Sequence, residues 1–405
     1  MRVPFLDLAA QLETTRPAVE RAVLDVIASG HYVGGPVVED FERAMADYVG
    51  VENAVGVSSG TDALLVSLMA LDVGPDDLVV TTPYSFVATA GAVARLGAAP
   101  VFVDIDSRTF NMDPARLADW FERETARRSR VKAIVPVHLF GQCADMAPIL
   151  EVAAAHGVPV VEDAAQALGG RYPGGGAGGR GDGHPGGGSG PGSVSPGVEG
   201  GGRRDRPAGS MGTLACFSFY PTKNLGAMGE AGLVVTADSD LAARVRRLRN
   251  HGVQTAYLHP EVGGNFRLDT LQAAILAAKL PHLDGWHARR GERAAYYDEH
   301  LAVPGLELPQ IAWGRARHTY HQYVIRVPAR RAQLRAHLAA RQVDTMVYYP
   351  VPLHRQACFH HLGHPAGAFP NSEDAASRSL ALPIYPELTP AMQDCVIEEI
   401  AAFYR

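Results

Sequence analysis

Cysteine is scarce in this 405-residue chain, with four residues at positions 143, 216, 358 and 395. They lie too far apart for a paired zinc site or a disulfide framework, which leaves reduced thiols. Basic charge is not in excess either: 37 Lys and Arg stand against 43 Asp and Glu, a formal net charge of −6. That balance supplies no field for a nucleic-acid backbone, and no basic run is long enough to anchor a membrane surface. Long hydrophobic runs are missing as well. The opening MRVPFLDLAAQLETTRP carries acidic residues where a secretory leader needs a basic start and an apolar core. These absences together point to the cytoplasm. What the chain does have is 47% hydrophobic and 20% charged residues, the composition of a soluble globular protein long enough for more than one core.

From about residue 51 to 236, short apolar runs alternate with stretches of helical period. LVVTT (78–82), PVFVDID (100–106), KAIVPVHLF (132–140), VPVVEDAA (158–165), TLACFSFY (213–220) and GLVVTAD (232–238) read as strands, with TDALLVSLMALD and MAPILEVAAAHG among the helices between them. The series predicts an α/β fold around a buried, mostly parallel sheet. Beyond 237 the texture turns helical, closing with the strand-like HQYVIRV, a short VDTMVYY and further helices. The expected division is a large domain over 1–250 and a smaller α+β domain over 251–405.

Residues 173–207 break this pattern. PGGGAGGRGDGHPGGGSGPGSVSPGVEGGGRRDRP has almost nothing apolar to bury, so it reads as a flexible surface insertion spanning roughly 30 Å. A lid role, with Arg203, Arg204 and Arg206 touching an anionic substrate, is the functional alternative. HRQACFHHLGH (354–364) has metal-like spacings, but no second ligand group elsewhere matches it, so no metal is expected.

The chemistry gathers around CFSFYPTKNLGAMGEAG, which delivers Lys223 into a turn bounded by proline and glycine. A lone lysine is usually just solvated. Three other segments change that reading. In VSSGTDALLVSL a strand ends and a helix begins at about Thr61, so free backbone N–H groups at Gly60 to Asp62 form a phosphate cradle. In VVEDAAQALGG, Asp163 ends a buried strand, where a carboxylate needs a cation such as a protonated ring nitrogen; Arg171 is its nearest oppositely charged neighbour in sequence. Phe86 of TTPYSFVATA supplies an aromatic face, and Ser218 a hydroxyl beside the cradle. An amine, a carboxylate, a cradle and a stacking ring are what pyridoxal 5′-phosphate (PLP) requires of its protein.

The order SSGTDAL, PYSFVATA, PVFVDID, VEDAAQ, FSFYPTKN, GEAG, GGNFRLDTLQAA, YYPVPLH and LPIYPELT resembles the DegT/StrS-type sugar aminotransferases, members of the fold-type I PLP enzymes, over nearly the whole chain. The resemblance implies that Lys223 forms the Schiff base and carries the proton, that Asp163 pairs with the ring nitrogen, and that Gln166 contacts the ring's phenolic oxygen. It further implies that Phe86 stacks on the ring, and that Gly60, Thr61, Asp62 and Ser218 hold the phosphate. Asn265 matches an asparagine that completes the phosphate site of a neighbouring subunit, which implies a homodimer. Tyr349, His354 and Tyr220 are the expected substrate contacts. The implied reaction moves an amino group from glutamate to a nucleotide-linked keto-sugar, with the 3-keto form favoured over the 4-keto form. A PLP-binding sensor without turnover and a PLP lyase are the alternatives. The Gly-rich insertion departs from the family pattern and bears on substrate access and on any specificity contact made by that loop.

Overall fold

The computed structural model describes residues 1–174 and 204–405. Its strands are β1 (Asn53–Val57), β2 (Leu78–Thr81), β3 (Ala99–Phe102), β4 (Val131–Ile134), β5 (Val161–Asp163), β6 (Arg171–Tyr172), β7 (Arg206–Pro207), β8 (Leu214–Ser218), β9 (Gly232–Thr236), β10 (Tyr323–Arg326) and β11 (Ser379–Leu382). The central sheet runs in the order β3-β2-β4-β5-β8-β9-β1. Its two halves are joined by parallel bridges from Ile134 to Val160 and from Val137 to Asp163. Every pairing from β3 to β8 is parallel, and β9 alone runs against its neighbours β8 and β1.

Side chains alternate across a strand, and here both faces are buried. Cys216 and Val234 join a core with Leu65, Val66 and Val79, whereas Phe217 and Leu233 face a second core with Phe41, Met45 and Trp286. The helix Gly60–Ala70 is apolar around nearly its whole circumference and is correspondingly buried, with Ser59 capping it by accepting from the Asp62 N–H at 3.0 Å. Two glycines allow its first turn to press onto the sheet. A Cβ on Gly232 would lie 2.3 Å from the Ser59 carbonyl oxygen, and one on Gly60 would lie 2.6 Å from Ser218 Cβ.

Strands β10 and β11 pair antiparallel and pack with the helices Arg331–Ala340 and Pro390–Tyr404 into a separate core around Leu334, Leu380 and Val396. Val3 belongs to this core and bridges to Val343, so the first residues of the chain pack with its last third.

Several expected elements are shorter than the apolar runs implied. β4 stops at Ile134 because Pro136 has no N–H to donate, and residues 135–141 turn along the sheet's carboxyl edge. β3 stops at Phe102. Two residues later the Asp104 carboxylate caps the helix Pro370–Arg378, accepting from Ser372 N at 3.0 Å and Ser372 Oγ at 2.6 Å. Pro281 divides LDTLQAAILAAKLPHLDGW into Thr270–Lys279 and Leu283–His300.

The insertion is more ordered at its end than its composition suggested. Arg206 and Pro207 pair with Tyr172 and Arg171, and Asp205 holds Arg317 through two contacts of 2.8 and 3.0 Å. Arg203 and the Gly-rich run from 175 onward lie outside the described residues.

Candidate active site

Ligands in open α/β sheets lie beyond the carboxyl ends of the strands. A cavity of about 620 Å³ opens there, with Gly60, Thr61, Phe86, Asp163, Gln166 and Ser218 in its wall, together with Tyr220, Lys223 and Tyr349. Gly60 and Lys223, 163 positions apart in sequence, thus meet because β1, β5 and β8 end at one edge. That volume suits a small-molecule cofactor together with a substrate.

Asp163 is 6% exposed. Its Oδ2 accepts from Thr89 Oγ1 at 2.8 Å and its Oδ1 from the Ala165 N–H at 3.3 Å. Burial pushes its pKa above the usual carboxylate range, against the pull of Thr89, Ala165 and, more weakly, Lys223. Arg171, its neighbour in sequence, lies exposed on β6 and does not pair with it. The buried carboxyl is therefore short of cationic charge, which a protonated ring nitrogen would supply.

Lys223 keeps part of its surface open to the cavity but is otherwise enclosed by protein. Burial lowers its pKa from 10.5 to about 8, and the Asp163 carboxylate opposes that fall. Sign follows cause: desolvation disfavours the ammonium, so the neutral amine is populated near neutrality. Labelling of Lys223 by PLP, trapped with borohydride, should rise with pH around a midpoint near 8. In Asp163→Asn that midpoint should fall further, since the opposing carboxylate charge is gone. A midpoint near the ordinary lysine value in the wild type would contradict this.

At the cradle, the Gly60 and Thr61 N–H groups head a helix and make no hydrogen bond among the described residues, while the Asp62 N–H is taken by Ser59. Ser218 Oγ accepts from the Tyr220 N–H at 3.3 Å and so keeps its own hydrogen to donate. Asp62 is absent from the cavity wall. Its carboxylate accepts from Ser58 Oγ at 2.7 Å and Ser59 Oγ at 3.0 Å, so it stiffens the cradle from behind. Gln166 accepts from the Phe140 N–H at 2.8 Å and donates to Tyr349 Oη at 2.9 Å, which leaves one amide hydrogen for an acceptor in the cavity. Phe86, 54% exposed, holds its ring centroid 6.3 Å from that of Tyr349. Amine, carboxyl, cradle donors and ring thus fit PLP.

Two predicted residues stand elsewhere. His354 is buried against Phe369, its Nε2 2.9 Å from Glu373 Oε1, and it does not line the cavity. Asn265 is exposed, bridged to Asn250, and also lies outside the cavity of its own chain. Arg204 and Arg206 do not line it either; the Arg206 guanidinium donates to the Ser210 carbonyl at 3.2 Å.

Sequence reasoning missed His321. Asn224, next to Lys223, donates through Nδ2 to the Thr319 carbonyl at 3.1 Å, which turns its Oδ1 toward His321 Nδ1 at 3.1 Å. His321 Nδ1 therefore carries the hydrogen, and Nε2 is left as an acceptor. Burial, reinforced by Lys223 and Arg290, holds the imidazole pKa well below its ordinary value, so this cavity residue stays neutral. Arg290 fixes the segment by donating to the Tyr320 carbonyl at 3.1 Å and the Ile384 carbonyl at 2.8 Å. The Asn following the lysine was the only sequence signal for this arrangement.

A lysine of lowered basicity facing a cation-short carboxyl, with phosphate donors at a helix start, is the equipment of a fold-type I PLP-dependent aminotransferase. The chain belongs to the DegT/DnrJ/EryC1/StrS aminotransferase family, whose model matches residues 14–401. It is 43% identical over 408 residues to the "Pleiotropic regulatory protein" of Geobacillus stearothermophilus, covering 100% of this chain and 99% of the relative. Identity is 40% over 388 residues to the dTDP-3-amino-3,4,6-trideoxy-alpha-D-glucose transaminase of Streptomyces venezuelae, covering 96% and 92%. Among solved structures, S. venezuelae DesV in complex with a ketimine intermediate superposes with a TM-score of 0.87 at 38% identity, covering 100% of this chain and 99% of that one. The protein is a PLP-dependent sugar aminotransferase, and no helix among its described residues is long and apolar enough to cross a membrane.

Proposed function

We propose that this aminotransferase takes its amino group from glutamate and delivers it to C3 of a nucleotide-linked keto-sugar. The observation that carries the reading is the joint placement of Lys223, Asp163 and the free Gly60 and Thr61 N–H groups around one cavity. The 3-amino product in the name of the S. venezuelae relative supports C3. PLP, when bound, supplies the electron sink for labilising bonds at the amino-bearing carbon. Asp163 would hold the ring nitrogen's proton, Gln166 would orient the ring through its phenolic oxygen, and Phe86 would cover one ring face. Lys223 would move the proton at its Nζ, since its lowered pKa lets it both accept and return one near neutrality. His321, neutral and weakly basic, is left to accept hydrogen bonds rather than protons.

A panel of nucleotide keto-sugars, supplied with glutamate, tests the substrate. The expected result is release of 2-oxoglutarate with a new amine at C3, located by mass spectrometry and NMR. Amination at C4 alone would overturn the regiochemistry, and turnover of free keto-acids without any nucleotide sugar would overturn the substrate class. A regulatory role is supported by the names of relatives alone, one a pleiotropic regulatory protein and one a sensory transduction protein. A sensor without turnover would release no 2-oxoglutarate at all.

A homodimer with shared sites would give a role to Asn265, which is exposed and does not line its own chain's cavity. Apolar surface supports the same reading, with Tyr257 97%, Val262 89% and Leu24 61% exposed. Mixing Asn265→Asp protein with Lys223→Ala protein should restore activity, because the hybrid dimer holds one site with neither lesion. No recovery despite proven subunit exchange would count against sharing.

A further inference from the structure

Behind Asp163 stand two hydroxyls in series. Thr89, in the first turn of the helix Ala88–Arg95, places Oγ1 2.8 Å from Asp163 Oδ2, and Ser85 Oγ lies 2.9 Å from Thr89 Oγ1. Both residues are buried, Thr89 to 1% and Ser85 to 3% exposure.

Counting hydrogens fixes the direction of this chain. An ionised carboxylate only accepts, so Thr89 commits its single hydroxyl hydrogen to Asp163. Thr89 must then accept from Ser85, and Ser85 has only lone pairs left to offer the cavity whose wall it joins. The Ala165 N–H, at 3.3 Å, is the longer and weaker contact. The titratable groups around the carboxyl are Lys223, whose ammonium favours its anion, His138, whose ring hydrogen is committed to Glu162, and Cys216 and Tyr349, whose own ionisation it opposes. Beyond the charge of Lys223, support for the anion comes from the Ala165 N–H and, at shorter distance, from the hydroxyl relay.

We infer that Ser85 and Thr89 form a one-way hydrogen-bond relay that holds Asp163 as an anion aligned for the cofactor's ring nitrogen, which makes Thr89 a positioning residue for PLP. The inference rests on the assignment of Asp163 to that nitrogen. A bond to an ionised acceptor is worth more than a neutral one, and a second donor behind it strengthens it further.

Equilibrium binding of PLP to the purified apoprotein, followed spectroscopically across pH, provides the test. Thr89→Val keeps the side chain's shape and should weaken PLP binding about 10- to 100-fold, the loss expected of a hydrogen bond to a charged group. It should also move the acid limb of the binding profile to higher pH, because Asp163 then takes up a proton more readily. Thr89→Ser should restore both, which a purely space-filling role would not. Ser85→Ala leaves the bond from Thr89 to Asp163 in place, so it keeps the test independent of how well Thr89→Val folds. A loss of only a few-fold is expected there. Wild-type affinity and pH profile in either Thr89→Val or Ser85→Ala, with Asp163→Asn clearly weakened, would overturn the relay and leave the role of Asp163 standing. Wild-type affinity in Asp163→Asn as well would remove the assignment on which the relay rests.

Discussion

Lys223→Ala protein is expected to lose transamination by on the order of 10⁴-fold or more, the scale on which removal of a bond-forming and proton-carrying group acts. Its fold should survive, and in the cofactor-free state it should gain stability. The sign follows from linkage. Lys223 has a folded pKa near 8 against an ordinary 10.5, so below pH 8 the folded protein holds an ammonium that burial disfavours. That cost is complete below the folded pKa, shrinks as pH rises from about 8 to 10.5, and vanishes above. Relief of it is worth up to about 3 kcal/mol at neutral pH. Denaturant unfolding of the two apoproteins at pH 7 and pH 10 measures the difference, which should narrow at the higher pH. Turnover by Lys223→Ala at the wild-type rate would remove the lysine from the chemistry altogether.

Glu162→Ala should show the largest loss of stability, on the order of 3–5 kcal/mol, because it strips an anchor from a buried network. Glu162 is fully buried, on the face of β5 opposite Asp163. Its Oε2 accepts from His138 Nε2 at 2.7 Å and the Gly209 N–H at 2.9 Å, and its Oε1 from the N–H groups of Met211 at 2.7 Å and Gly212 at 2.5 Å. His138 Nδ1 accepts from the Ala144 N–H at 3.1 Å, which assigns the ring hydrogen to Nε2 and hence to Glu162. Burial works to raise this carboxyl's pKa, but the His138 and backbone donors outweigh it and leave the value below the usual range. A depressed folded pKa means that the stabilisation is present above the unfolded carboxyl pKa and is lost as pH falls through the folded one. Glu162→Gln should cost nearly as much as alanine, since in either amide orientation an NH₂ group meets N–H donors. Thermal or urea unfolding checks both variants. A change below about 1 kcal/mol in Glu162→Ala would show that the network is dispensable.

The two carboxylates side by side in VEDAAQ show how far the sequence could be read. Strand alternation sends neighbours to opposite faces, so one of them had to meet the ligand edge and the other the interior. Asp163 was legible because it closes an apolar run before small residues. Glu162 was not, because its partners are backbone N–H groups beyond the Gly-rich insertion, and any residue type can supply those. Thr89 and His321 escaped for a similar reason. A threonine in a helix and a histidine at the head of a strand are common, and only their distances to Asp163 and Asn224 give them meaning.

By itself the sequence determined the class of fold and singled out residues that meet at one cavity. The alternation of apolar runs and helical periods sets an α/β sheet, and Lys223, Asp163, Gly60, Thr61, Ser218, Phe86 and Gln166 sit in local motifs whose spacing is covalent. The tertiary structure alone decided which polar atoms were already taken. It turned Asp62 back onto Ser58 and Ser59, paired His354 with Glu373, and left Asn265 outside its own cavity. It also set the strand order that brings β1, β5 and β8 to one edge. A hydrogen bond depends on a few tenths of an ångström between groups far apart in the chain, and nothing in residue type or spacing encodes a distance of that kind.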